Sequence, residues 1–448
     1  MRRLNRRNFF KTSLAVVAAP LILPPHLWGQ NAPSNKLNVA CVGIGPPGNR
    51  VSRGMAENGR TQIVALCDVD LKHDRSEAVR NRFPDARQFH DFREMFSEMG
   101  GEIDAVSIAT PDHSHFPIAM HAMGMGKHVY VEKPIANTFL EADHLMRAAE
   151  KFGVVTQMGN QGHSGANYHQ SKAWAEAGAF DDITKVVAYF NRGRRWHPWG
   201  DVDGYPEGEN IPAGLHWDLW HTTAEERPFS RRLHPGNWRG WYRYGMGVLG
   251  DWGPHVIDTT HRFLELGLPT EVELVHVRRH NPYIFPHEAT VRFHFPARGN
   301  KPPTEVFWYE GPENAPNEPF ISGNVGRVLY GKDHSYVGGT HSSPIRVVPE
   351  EKRREVQSAL PDFETGSDHY QNFVLSALGD ETTRSPFSVA GTLNQVFNLG
   401  VIAMELGETN KTHRFDPETM KFTNNDEANK LLWYPRPRDG WEKYHQMV

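Results

Sequence analysis

From Leu37 onward, short apolar runs alternate with helix-patterned stretches. Residues 37–42, 62–67, 104–109, 128–131 and 154–158 are read as strands, with helical composition between several of them. Nearly continuous apolar strands alternating with helices predict a parallel sheet covered on both faces. After Gly159 the texture changes. Residues 183–191, 270–279 and 289–295 are longer and amphipathic, separated by Pro- and Gly-rich loops. That pattern predicts an open, mainly antiparallel sheet in a second domain. Residues 296–319 read mostly as loop, with a short strand at 304–309, and residues 369–378 and 393–406 read as helices. The tail from Lys411 is expected to run extended over the surface. The fold class is therefore α/β, divided at 1–32, 36–157 and 158–448.

Composition narrows this little, but charge and the N-terminus add something. The chain has 448 residues, too many for one hydrophobic core. Its net charge of −4 becomes −9 once the five cations of residues 1–32 are set aside. A mildly acidic body argues against a broad nucleic-acid surface. The body holds no apolar run long enough to suggest a membrane-spanning bundle. The run Arg6-Arg7-Asn8-Phe9-Phe10-Lys11 resembles a twin-arginine export motif, followed by an apolar stretch broken by Pro20. Residues 1–32 are read as an export signal, and the mature protein as periplasmic. A basic tail or an uncleaved anchor is the alternative. Cys41 and Cys67 both fall in predicted strands and are expected to be buried free thiols.

Four constellations carry chemistry. Gly43-x-Gly45-x-x-Gly48 follows a strand and opens a helix. Asp68 ends the next strand, about 20 residues on, which is the spacing of a dinucleotide fingerprint. The glycines permit a tight turn, close pyrophosphate approach and helix–strand packing; the acid can accept from ribose hydroxyls. This predicts dinucleotide binding. Asp68 would repel a 2′-phosphate and Val69 offers no cation, which favours NAD over NADP. Pro46 and Pro47 dissent, because they remove two backbone donors from the loop. Glu132-Lys133-Pro134 closes a strand at the crevice end, where a lysine can exchange a proton with a substrate oxygen. Asp251 and His255 are four apart and share a face if a helix starts there with Pro254 in its first turn. Thr110-Pro111-Asp112-His113-Ser114-His115 also follows a strand end. Thr110 and Pro111 would line the cofactor, His115 would reach the nicotinamide side, and Asp112 or Ser114 would cap a helix. No metal-ligand pattern is visible among the 25 histidines.

Together these four sites resemble the Gfo/Idh/MocA oxidoreductases. The resemblance runs from about Lys36 to the C-terminus. It implies a Rossmann domain followed by an α/β domain with an open sheet, and a homodimer or homotetramer. It makes Lys133 the catalytic lysine, often before a cis proline, with Asp251 and His255 as its partners. It implies a carbohydrate substrate, either a sugar, an inositol or a related polyol. The stretches Trp217-Asp218-Leu219-Trp220 and Trp238-Arg239-Gly240-Trp241 look like an exported branch. Seven tryptophans lie between residues 196 and 252. Two or three are expected to touch ligand, with Arg194, Trp196, Trp238 and Arg239 as substrate-binding candidates and Arg195 as a further cation. The expected reaction is hydride transfer with a retained cofactor, since no free NAD pool exists outside the cytoplasm. A redox-neutral glycosidase working through a transient keto-sugar and an inactive sugar-binding protein are the alternatives.

Overall fold

Every residue of β1 (Leu37–Val42) except Asn38 is buried, as a strand covered on both faces requires. It pairs in parallel with β2 (Thr61–Cys67) on one side and β4 (Ala105–Ile108) on the other. With β3 (Arg87–Phe89), β5 (His128–Val131) and β6 (Thr156–Met158) these form a six-stranded parallel sheet, in the order β3-β2-β1-β4-β5-β6. Strand order reverses between β1 and β4. In open parallel sheets the ligand crevice lies there, outside the strands' carboxyl ends. The computed structural model describes residues 35–193, 200–433 and 436–448. The export segment and the candidates Arg194, Arg195 and Trp196 lie outside them.

The two cysteines are buried and free. Register pairs Cys41 with Leu66 and Val42 with Cys67. One position of offset puts the thiols on opposite faces of the sheet, so they cannot reach each other.

The second sheet has nine strands: β7 (Lys185–Phe190), β8 (Glu271–Arg278), β9 (Glu288–Phe295), β10 (Thr304–Glu310), β11 (Val325–Tyr330), β12 (Ser335–Gly338), β13 (Arg346–Val348), β14 (Thr412–Asp416) and β15 (Lys421–Phe422). They are ordered β13-β12-β11-β7-β10-β9-β8-β14-β15. Among the described strands only the β7–β10 pair is parallel, so the sheet is mixed. The short strand expected at 304–309 is present as β10, one residue longer, and lies between β7 and β9. The expectation of a surface-bound tail fails. β14 extends the sheet, and Phe415, Phe422, Leu432, Trp441 and Tyr444 are all buried.

The chain also returns to its first domain. In the helix His369–Ala377, Phe373 and Val374 join the core built by Leu37, Val39 and Cys41. The helix Phe387–Leu406 is long and apolar enough to span a membrane, but 83% of its most apolar window is buried in the core.

Glu310 ends β10 on its buried face, with 1% of its surface exposed. Its carboxylate accepts from the Trp308 indole N–H at 2.7 Å. Burial pushes its pKa up to about 7. The folded state therefore binds this proton more tightly than the unfolded chain. Glu310's contribution to stability falls as pH rises from its unfolded value near 4.5 to about 7, then stays low. Relative to wild type, Glu310→Gln is expected to gain on the order of 3 kcal/mol between pH 4 and pH 8. Urea unfolding at both pH values checks this; a pH-independent difference would refute it.

Candidate active site

The glycine loop is held from below. Gly43 has a φ of +80°, and its N–H donates to the Cys67 carbonyl at 2.8 Å. A Cβ on Gly48 would lie 1.9 Å from the Gly43 carbonyl oxygen, whereas one on Gly45 would meet nothing within 4 Å. The open side of Gly45 faces a cavity of about 330 Å³. Gly45 caps the helix Pro46–Ala56, whose first two residues are the prolines. First-turn N–H groups have no partner within a helix, so the prolines cost the helix nothing.

Asp68 lines this cavity at the end of β2. Its two carboxylate oxygens accept from the N–H of Ile44 and of Asp70, at 2.8 and 2.9 Å. It thus ties the glycine loop to the neighbouring strand as well as facing the space where a ribose would lie. Burial raises its pKa, and the two backbone donors oppose that rise.

A second cavity of about 240 Å³ adjoins the first. Pro47, Ala109, Thr110 and Arg239 line both. The second holds Lys133, Asp251 and His255. The Lys133 ammonium donates to the Asp251 carboxylate at 2.7 Å and to the Asp251 carbonyl at 2.9 Å. The Lys133–Pro134 peptide is cis, as the resemblance implied.

Asp251 and His255 share the helix Gly247–Val256. Pro254 lies inside this helix, not in its first turn as expected. The helix begins earlier because Gly247, at a φ of +60°, turns the chain against the Phe285 ring. Burial first, then the charge of Lys133, pushes the His255 pKa well down, so its imidazole is neutral at neutral pH. Its Nδ1 has no hydrogen-bond partner among the described residues. His341 stacks on it with ring centroids 4.1 Å apart, and the His341 N–H donates to the His255 carbonyl at 2.9 Å.

Some expectations need correction. His115 borders the second cavity, but its ring nitrogens lie 2.7 and 2.9 Å from the carbonyls of Pro134 and Thr110. It braces the two loops rather than reaching out with a free nitrogen. Neither Asp112 nor Ser114 caps a helix: Pro111 is the cap of Asp112–Gly124, without a side-chain bond. Asp112 instead faces the Lys133 cavity and accepts from the Met246 N–H at 3.2 Å. Burial pushes its pKa up to about 7. Glu132 lines that cavity too, accepting from the Gln161 amide at 2.9 Å, with Arg50 at 3.7 Å. Trp238 lines the glycine-loop cavity, not the Lys133 cavity. Of the other tryptophans in that stretch, Trp217 and Trp241 are core, Trp220 walls the first cavity and Trp252 the second. Among the described residues no cluster could hold a metal ion.

Sequence reasoning passed over Arg50, His341 and Trp441. Arg50 lies within the glycine-loop helix and could have been found by its helical position. His341 and Trp441 reach the cavities from distant loops and leave no local signal.

Residues 37–160 match the family model for the Gfo/Idh/MocA oxidoreductases with an NAD-binding Rossmann fold. Residues 172–443 match that family's C-terminal alpha/beta domain. A scyllo-inositol 2-dehydrogenase (NADP(+)), IolW, of Bacillus subtilis is 29% identical over 32% of this chain and 40% of its own. A glycosyl hydrolase family 109 protein of Shewanella pealeana is 26% identical over 49% of this chain and 51% of its own. The chain thus spans about half or less of the length of these curated relatives. The solved aldose-aldose oxidoreductase of Caulobacter crescentus, complexed with glycerol, shares the fold at a TM-score of 0.57 and 16% identity, over 85% of this chain and 100% of that one. With both of its domains matched, this chain belongs to the Gfo/Idh/MocA family of NAD(P)-binding oxidoreductases.

Proposed function

We propose that this protein is an NAD-dependent oxidoreductase acting on a sugar, inositol or related polyol, with Lys133 as its acid–base group. The observation that carries this reading is the Lys133–Asp251 pair, set in a cavity that shares four wall residues with the glycine-loop cavity. The bound nicotinamide would supply the hydride acceptor or donor. Lys133 Nζ has three donor positions. Asp251 holds two of them, which leaves the third for a substrate oxygen. Oxidation needs Lys133 to take a hydroxyl proton, and reduction needs it to return one. The neutral His255 can hydrogen-bond a neighbouring hydroxyl without adding charge. Lys133, Arg50 and Arg239 are offset in this cavity by Asp251, Glu132 and, in part, Asp112, which suits a polar substrate.

Asp68 and Asp70 on the cavity wall favour NAD over a 2′-phosphorylated cofactor. We propose export through residues 1–32, with the cofactor retained in the folded protein. Trp220, His234 and Trp238 of the second domain, with Trp441 of the C-terminal segment, wall the glycine-loop cavity and support retention. Likeness to the glycosyl hydrolase family 109 protein favours a second reading, glycoside cleavage with no net redox change. One experiment addresses these readings: mass spectrometry of denatured protein taken from the periplasmic fraction, alongside assay of that fraction. About one NAD(H) per chain is expected. NADP(H) would overturn the Asp68 argument, and no dinucleotide would overturn retention. Glycoside cleavage without added NAD and without NADH release would establish the second reading.

A further inference from the structure

The glycine-loop cavity is walled on one side by chain that the first domain does not supply. Leu219, Trp220 and Thr222 line it from residues 216–223, and Trp441 lines it from the C-terminal segment. Residues 216–223 bridge to the first domain at two points. The His216 N–H donates to the Val69 carbonyl at 2.9 Å, and the buried His113 ring donates to the Trp220 carbonyl at 2.9 Å. With its ribose at Asp68 and its nicotinamide at Lys133, a dinucleotide directs its adenine away from Lys133. Phe92, Ile118, Leu219 and Trp441 line the first cavity and not the second, and they offer a base apolar walls.

Three polar atoms of the second domain's wall are buried without a partner among the described residues: Trp220 Nε1, Thr222 Oγ1 and His234 Nδ1. All three residues line the cavity. Buried polar groups are nearly always paired, so a wall carrying three open ones is built against a polar occupant. An indole N–H only donates, and the ring nitrogens of adenine accept.

What holds this wall in place comes from the end of the chain. Carbonyls at the end of the helix Trp217–His221 have no helical partners, and Arg438 takes them up. Its Nε donates to the Thr222 carbonyl at 2.7 Å, its Nη2 to the Asp218 carbonyl at 2.8 Å and its Nη1 to the Asp218 carboxylate at 2.6 Å. Its backbone N–H donates to the Thr223 carbonyl at 3.0 Å. Three residues on, Trp441 enters the cavity wall, with its N–H bonded to the Arg438 carbonyl. The guanidinium of the first domain's Arg93 lies over the Trp441 ring, 4.7 Å from the centroid. Arg438 itself lines neither cavity. It joins the two pieces of chain that close the cavity from outside the first domain.

We infer that Arg438 is a positioning residue for the cofactor site: by tying the C-terminal segment to residues 218–223, it latches this wall over the adenosine half of the dinucleotide and sets how slowly the cofactor leaves. The inference rests on the dinucleotide reading and gives cofactor retention a structural cause. Opening the wall must break these bonds together. The charged donor makes the carbonyl bonds strong, whereas the Asp218 side chain is 63% exposed and its charge is screened.

The test is release of NADH from the full-length protein loaded with it. Excess ADP-ribose occupies each emptied site, and the loss of bound NADH fluorescence gives the release rate. Arg438→Ala is expected to speed release by about 10–100-fold. Arg438→Lys lacks the fork that bonds Asp218 and Thr222 together and should fall between Arg438→Ala and wild type. Asp218→Asn keeps both carbonyl bonds and should change release by less than about threefold. Leu432→Ala, a fully buried site that lines neither cavity, controls for stability. It should lower Tm and leave release unchanged. A wild-type release rate in both Arg438 variants, whatever their Tm, would overturn the inference and leave Arg438 a helix cap. Release sped equally by Leu432→Ala would overturn it too. Where Arg438→Ala fails to fold, Arg438→Lys carries the same test. If wild type took up no NADH, the dinucleotide reading would fail and the latch with it.

Discussion

Replacing Lys133 with alanine is expected to lower kcat by about 10²–10⁴-fold while the dinucleotide stays bound. Lys133 lines the second cavity and not the glycine-loop cavity, so its loss removes the proton exchange and leaves the glycine-loop contacts in place. Its partner Asp251 is left buried, with 8% of its side chain exposed, so some stability should be lost too. The double variant Lys133→Ala with Asp251→Asn removes that buried charge. It should recover Tm without recovering turnover, which separates the chemical loss from the structural one. Lys133→Arg keeps the positive charge but cannot give up its proton at working pH. It should therefore be as inactive as alanine in the oxidising direction. The measurement is kcat on a panel of sugars and inositols, with bound dinucleotide quantified in the same samples. Normal turnover by Lys133→Ala on its best substrate would remove Lys133 from the mechanism.

Much of this site could be read along the chain because its parts sit at strand ends. A strand covered on both faces is apolar at nearly every position, so β1, β2, β4 and β5 stand out, and the residues closing them face the crevice. That logic leads to Gly43–Gly48, Asp68, Thr110 and Lys133. Asp251 and His255 are legible through their spacing, although the start of their helix is not. It depends on Gly247 packing against Phe285, a contact between segments well separated along the chain. The second sheet is harder to read. β12 and β13 are only four and three residues long, too short for a clear alternation. The loop after β12 nevertheless carries His341 to the Lys133 cavity. The tail misleads for a different reason. Its polar composition hides a few well-spaced apolar anchors, Phe415, Phe422, Leu432, Trp441 and Tyr444, all of which join the main core.

The glycine loop offers the other large effect, because two of its glycines should fail in opposite ways. Gly48→Ala would put a methyl group 1.9 Å from the Gly43 carbonyl oxygen. Neither side can yield easily. Gly43 is fixed by its bond to the Cys67 carbonyl and by its φ of +80°, while Gly48 is fixed within the helix. Overpacking of side chains costs about 1–3 kcal/mol, and a clash with pinned backbone should exceed that range. Gly48→Ala is therefore expected to lower Tm sharply and to express poorly. Gly45→Ala differs in kind. Its φ of −65° suits any residue, and its Cβ would meet no protein atom within 4 Å. Stability should hold or rise by about 0.4–1 kcal/mol through the stiffer unfolded chain. What the methyl group would occupy is the space where the pyrophosphate must approach the backbone, so bound dinucleotide should fall at least about tenfold. Thermal unfolding and cofactor content, measured on both variants, separate the two roles. If Gly45→Ala kept its full complement of dinucleotide, the pyrophosphate would have to lie farther from the loop.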